Sequence, residues 1–130
     1  MRWRRQRRPA PLPSYRDDWT LPVRVSATDP AEADSAVLAR HAADPALDLT
    51  RPLLVRHHLL LPGPDAVGQA ALLLAQDGYQ LTLVSQGPPA QVRAWRTQLL
   101  TALSAAQERS RMAGLAQRLG GDVRGWDACG

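Results

Sequence analysis

Two apolar patterns of different period follow one another in the middle of the chain. Leu53–Leu61 is apolar at most positions and is followed at once by Pro62-Gly63-Pro64, which predicts a buried strand that ends at the prolines. From Pro64 to Asp77 the apolar positions recur at the i, i+3, i+4, i+7 spacing of one helix face, and Gly78 supplies a stop. The residues that carry this spacing are Val67, Ala70, Ala71 and Leu74.

Further strand and helix patterns follow up to the end of the sequence. The remaining predicted elements are strands over Tyr79–Val84 and Gln91–Thr97, a helix over residues 100–119 and a strand over Asp122–Asp127. The Ala and Gln content of Gln91–Thr97 leaves a helix open as the alternative there. Gly120-Gly121 ends the long helix, because glycine accepts a positive φ without a Cβ clash.

The predicted order β-α-β-β-α-β indicates an α+β domain over residues 29–130. Such a split βαβ arrangement gives a four-stranded antiparallel sheet with strand order 4-1-3-2 and both helices on one face. At 130 residues the chain is long enough to bury a core of this size.

Residues 1–28 are predicted to form a basic, proline-rich arm that is flexible and at most weakly extended over Thr20–Val25. A short peripheral helix is then expected to begin at Asp29, which suits an N-cap, with Pro30 at its first position and Glu32 completing a capping box. This helix is expected to end before Asp44.

The net charge of +4 is concentrated in the arm. Residues 1–16 hold six of the 16 Arg and no acid, which leaves ten Arg against 12 Asp and Glu in the rest of the chain. Only the arm therefore attracts polyanions. The longest apolar run, Ala70–Ala75, is far shorter than the ~20 residues that span a bilayer, so we expect no membrane anchor. We also expect no secretory signal and a cytoplasmic location.

No residue pattern points to catalysis, a metal or a cofactor. His57 and His58 are adjacent, and neighbouring strand residues point to opposite faces, so the two cannot share one metal ion. The single cysteine, Cys129, lies one residue from the end of the sequence, where we expect nothing to orient or activate it. We therefore predict a protein without catalytic, metal or cofactor residues.

The outer face of the predicted sheet is the best candidate for a binding surface. Strand alternation places Arg56, His58, Arg93 and Trp95 on it, and the last strand is expected to add Arg124 and Trp126. Three hypotheses remain open for this face: it stacks RNA bases, it binds a protein, or the arm or first helix covers it. For Trp126 the alternative is a core anchor that closes the end of the sheet. Gly125 is expected to permit a bulge or a close approach there.

Several short motifs, in this order and spacing, resemble the regulator of ribonuclease E activity B (RraB) family. They are Asp48–Pro52, Val55–His58, Leu61-Pro62, Asp77–Tyr79, Leu115–Gly121 and Gly125-Trp126. The resemblance implies a ferredoxin-like α/β sandwich without enzymatic activity, which binds the ribonuclease E endonuclease and restrains its cutting of RNA. The alternative is an RNA-binding module that uses the open sheet face and the Arg-rich arm. The sequence does not determine the oligomeric state.

Overall fold

A computed structural model describes residues 15, 17, 21–29, 31–42 and 44–130. The helices are α1 (Asp34–His41), α2 (Pro64–Ala75) and α3 (Ala102–Arg118). The strands are β1 (Val23–Ala27), β2 (Leu53–Leu61), β3 (Gln80–Ser85), β4 (Ala90–Gln98) and β5 (Asp122–Cys129). Most of the predicted arm lies outside the described residues. Within the described part, no helix has the length and apolar character needed to cross a membrane.

The strands form one antiparallel sheet in the order β1-β5-β2-β4-β3. The four predicted strands keep their expected order, but the prediction of a four-stranded sheet is wrong. β1 lies within the segment assigned to the arm and pairs with the outer edge of β5, with Val25 opposite Ala128 and Ala27 opposite Trp126. Val25 and Ala27 are buried while Ser26 between them is exposed, so burial of alternate side chains stabilises this added strand.

All three helices pack on the side of the sheet that carries the odd-numbered residues of β2. Two clusters of buried side chains fill this side, and both include residues of β2 and α3. The first joins α1, β1 and β5 to Leu53 and Val55, and the second joins α2, β3 and β4 to Leu59 and Leu61. His57 is buried between these two pairs of β2 residues.

Helix ends differ from the sequence prediction at α1 and agree with it at α3. The expectation that Asp29 caps the first helix is wrong, because its carboxylate accepts from the N–H of Ala31 in a local turn and the helix begins only at Asp34. The Thr101 side chain caps α3 in a capping box, and Gly120 follows that helix with a φ of 78°. Residues 91–97 form a strand, so the helical alternative there is wrong.

Gly125 combines the bulge and the close approach that were expected. The register between β2 and β5 shifts between His58 and Leu59, which leaves Arg124 between the paired residues Val123 and Gly125. Gly125 has a φ of 128°, and a Cβ there would collide with the backbone oxygen of Ala27. The shift decides which β5 side chains face away from the helices.

Candidate functional site

The candidate site lies on the side of the sheet that faces away from the helices, which we call the open face. The pairing of β2 with β4 places Arg56 opposite Trp95 and His58 opposite Arg93. Directly opposed residues of an antiparallel sheet project to the same side, so the predicted residues Arg56, His58, Arg93 and Trp95 all belong to the open face.

Asp127 lies at the centre of the open face, and sequence analysis missed it. Its carboxylate accepts hydrogen bonds from Arg56, with Nε 2.6 Å from Oδ1 and Nη2 3.0 Å from Oδ2. This two-bond geometry is the strongest form of an arginine–carboxylate pair. The hydrogen bond with Asp127 raises the pKa of Arg56 further above its usual value. Burial opposes ionisation of Asp127, but hydrogen bonds from His58 and Arg56 outweigh it and lower the pKa of this carboxyl.

His58 and Cys129 flank the same carboxylate. His58 Nε2 lies 2.8 Å from Asp127 Oδ2, and an ionised carboxylate only accepts, so the imidazole donates from Nε2. The Cys129 thiol lies 3.8 Å from Asp127 Oδ1. Burial, reinforced by the Asp127 charge, raises the pKa of this thiol to about 11. A thiol with a raised pKa is a poor nucleophile at neutral pH, so this cluster is not arranged for Cys–His chemistry.

The structure corrects the expectation for the surroundings of Cys129. The sequence analysis expected nothing fixed near this residue, whereas β5 extends through it and its side chain is buried. The conclusion that the thiol is not activated agrees with the direction of its pKa shift. His57 and His58 lie on opposite faces as expected, with His57 buried on the helix side. The described residues contain no group of three or more His, Cys, Asp or Glu able to hold a metal ion.

Tyr15 and Asp17, which precede β1 in the arm, contact the open face. Asp17 contacts both arginines, with Oδ1 3.0 Å from Arg56 Nη1 and Oδ2 2.9 Å from Arg93 Nε. Its side chain is fully buried, and that of Arg93 is 12% exposed. The backbone N–H of Tyr15 donates to Thr97 Oγ1 at 3.0 Å. The hypothesis that the arm covers this face therefore holds at these two residues.

A hollow on the open face lies beside this segment. Its volume is about 700 Å³, and its lining includes Tyr15 and Asp17 on one side and Gln80, Trp95 and Thr97 on the other. The Trp95 indole is half-buried and its Nε1–H donates to Thr82 Oγ1 at 2.9 Å. Trp95 therefore has a fixed orientation, and part of its surface still faces solvent.

Trp126 is not on the open face, and this placement corrects the sequence analysis. Its side chain is fully buried on the helix side, where Nε1–H donates to Asp34 Oδ1 at 3.0 Å. Arg109 of α3 donates to the same oxygen at 3.0 Å. The alternative of a core anchor fits this environment. The alternation of apolar Trp126 and Ala128 around Asp127 was the signal that could have placed Asp127 outward.

Comparison with known proteins gives one match. The model of the family described as regulator of ribonuclease activity B (RraB) matches residues 31–128. No curated protein and no solved structure matches the chain.

Proposed function

Because the chain belongs to the RraB family, we propose that it is a non-catalytic regulatory protein that binds a ribonuclease and restrains its cutting of RNA. The observation that carries this proposal is the family match over residues 31–128. The proposed partner is the ribonuclease E endonuclease, and the proposed place of action is the cytoplasm. The activity requires no cofactor, because the regulator acts by occupying a surface of the enzyme.

The proposed architecture is a ferredoxin-like sandwich with one added strand and one added helix. The order β2-α2-β3-β4-α3-β5 and the sheet order β5-β2-β4-β3 support it, with β1 and α1 attached at the β5 edge. Among the described residues, this arrangement leaves one face of the sheet without helices, which is where a partner would bind.

The open face is the proposed contact surface. Arg56, His58, Arg93 and Trp95 lie there together, and Arg and Trp are the residue types that most often anchor protein interfaces. Trp95 offers a half-buried indole held by Thr82, so it loses little conformational freedom on binding. Trp126 belongs to the core and supports the surface from behind.

Direct RNA binding is the less favoured alternative. Two carboxylates, Asp17 and Asp127, lie directly against the arginines of the open face. Carboxylates in these positions oppose the approach of a phosphate backbone, whereas a protein surface supplies groups of both signs. Any RNA contact would then depend on the Arg-rich residues 1–16.

Binding of the purified full chain to ribonuclease E, with inhibition of RNA cleavage, tests the proposal. Arg93→Ala should weaken binding at least about tenfold, which corresponds to ~1.4 kcal/mol, because an interface arginine is lost. Arg118→Ala is the matched control, since it removes an exposed arginine from α3 on the other side of the sheet and should leave affinity unchanged. Circular dichroism of both variants checks that the fold is intact.

Two results would reject the proposal. One is the absence of binding between the wild-type chain and the enzyme. The other is tight RNA binding at ~0.2 M salt that disappears when Arg4, Arg5, Arg7 and Arg8 are changed to Glu. That second result would favour the RNA module. Its affinity should then fall as salt rises, because each phosphate contact on a single strand adds ~0.7 to the slope of log affinity against log salt concentration.

A further inference from the structure

The two arginines of the open face form a site that fits one carboxylate. Arg56 and Arg93 lie on neighbouring strands, and the Asp17 carboxylate joins them, one oxygen to each guanidinium group. Arg56 Nη1 donates a hydrogen bond to Asp17 Oδ1, and Arg93 adds an ion pair with Asp17 Oδ2. The site is also desolvated, since the Asp17 side chain is fully buried and those of Arg56 and Arg93 are 10% and 12% exposed.

The Asp17 carboxylate satisfies a buried donor of this face. Asp127 accepts from Nε and Nη2 of Arg56, and Asp17 Oδ1 accepts from its Nη1. Departure of Asp17 removes this acceptor from a side chain that is 10% exposed. A buried charged donor without an acceptor is costly, so the position favours replacement by another carboxylate.

The carboxylate comes from a part of the same chain that also contacts the sheet through its backbone. The Tyr15 N–H donates to Thr97 Oγ1, and Asp17 contacts the two arginines. The open face therefore binds a peptide through a backbone donor and, two positions later, a carboxylate, beside the hollow that contains Trp95.

We propose that the Arg56–Arg93 pair is the recognition site for an acidic segment of a partner protein, and that the chain's own Tyr15 and Asp17 occupy this site until the partner displaces them. This inference rests on the proposed function for the identity of the partner and adds how its binding is regulated. The peptide site itself can be tested without a ribonuclease.

Covalent linkage makes such competition effective. Because Asp17 belongs to the same chain as the site, its local concentration is on the order of millimolar, so even a weak contact keeps the site filled. The apparent affinity for a partner is then lowered in proportion to the fraction of molecules in which Asp17 has left the site. Removing the Asp17 carboxylate should therefore raise the affinity for an acidic segment about five- to tenfold.

The test titrates isotope-labelled full-length chain with a synthetic peptide of residues 12–20. The Nε–H signals of Arg56 and Arg93 in proton–nitrogen spectra report binding even when it is weak. Asp17→Ala and the milder Asp17→Asn should bind the peptide about five- to tenfold more tightly than wild type. Asp65→Ala, which removes an exposed carboxylate from α2 on the other side of the sheet, should behave like wild type.

Two further arms test the chemistry of the site. A peptide with Asn in place of Asp17 should bind the Asp17→Ala chain at least about tenfold more weakly than the unchanged peptide. The double variant Asp17→Ala with Arg93→Ala should lose the response at Arg56. Either result in the opposite direction would overturn the inference, and so would equal peptide affinity in wild type and Asp17→Ala or an equal gain from Asp65→Ala.

The same samples separate this inference from the proposed function and from RNA binding. If a uridine dodecamer displaces the peptide at ~0.2 M salt and binds more tightly, the site takes phosphate and the inference is wrong. If the peptide binds as expected but ribonuclease E does not, the recognition site stands and the proposed function fails. If ribonuclease E binds wild type and Asp17→Ala equally and the peptide does not bind, only the inference fails.

Discussion

His57 shows how a single residue can couple stability to pH. It is 1% exposed, its ring meets the Tyr79 ring edge-on with 6.0 Å between centroids, and it lies between the two clusters of the core. Burial, with smaller contributions from the nearby charges of His58 and Arg96, lowers the pKa of His57 to about 4. Asp127 acts in the opposite sense but is outweighed. The folded protein therefore holds this imidazole neutral where an unfolded chain would protonate it.

Replacing His57 by Leu should flatten the pH dependence of stability. The unfolded state binds the extra proton between pH 6.5 and 4, so acidification across this window should cost wild type about 3 kcal/mol of unfolding free energy through this group. The stability is fully present above pH 6.5. Urea unfolding at pH 7, 5.5 and 4 measures the effect. An unchanged slope in His57→Leu would show that the buried His57 imidazole is not its source.

At the scale of elements, polar contacts and a backbone bulge position the added parts of the fold. Asp34 at the start of α1 accepts from Trp126 of β5 and Arg109 of α3, so one carboxylate joins three elements. β1 covers the edge of β5 that would otherwise expose unpaired backbone groups. Gly125 lets β1 and β5 approach at the bulge. The open face depends on these contacts indirectly, because they fix the register that turns Asp127 outward.

Asp34→Ala should destabilise the protein by about 2–4 kcal/mol. The substitution leaves the buried Trp126 Nε1–H without its acceptor and separates Arg109 from its carboxylate. Arg109→Ala should cost less, because the Arg109 side chain is 27% exposed and solvent screens that ion pair. Thermal or urea unfolding ranks the two variants. Equal losses would mean that the ion pair, and not the indole hydrogen bond, dominates at this position.

Gly125→Ala should cost at least about 2 kcal/mol. An alanine there would need a φ of 128° and would place its Cβ against the backbone of Ala27 and Thr28, which has no flexible end to move aside. Gly114→Ala is the matched control, because Gly114 lies within α3 with nothing within 4 Å of a Cβ. That control should gain up to about 1 kcal/mol from helix propensity. The urea unfolding midpoints of the two variants measure the difference. A Gly125→Ala variant as stable as wild type would show that the bulge accepts a Cβ without cost.

At the scale of the whole molecule, the two sides of the sheet have different roles. The helix side holds both apolar clusters, and each cluster includes residues of β2 and α3. The open side carries the ionisable residues Arg56, Asp127, His58 and Arg93 and receives Asp17 from the arm. The apolar contacts that stabilise the fold therefore lie on one side of the sheet, and the proposed recognition site lies on the other.

Because β2 and α3 are shared by both clusters, the described core should unfold in one step. Tryptophan fluorescence and far-UV circular dichroism should give coincident urea transitions, and the calorimetric and van't Hoff enthalpies should agree. Separate midpoints would show that the part with α1, β1 and β5 unfolds independently of the part with α2, β3 and β4. Asp17→Ala should leave the shape of this transition unchanged, since Asp17 contacts the sheet from its other side.

The local sequence predicted most elements because their signals are local. The apolar run of Leu53–Leu61, the helical spacing that follows it and Gly120 after α3 each depend on neighbouring residues, and the structure confirms these elements. The family resemblance is also confirmed. For the site, strand parity placed Arg56, His58, Arg93 and Trp95 on one face, but it did not place Trp126 correctly.

The alternation and spacing of side chains along the chain thus determined the element types and their order, since they reflect backbone geometry within a few residues. Only the tertiary structure decided three features: that β1 joins the sheet, that the Gly125 bulge sends Asp127 to the open face, and that Asp17 contacts Arg56 and Arg93. Each depends on residues far apart in sequence. Their contacts are selected by burial and charge pairing in the folded chain, which no local pattern encodes.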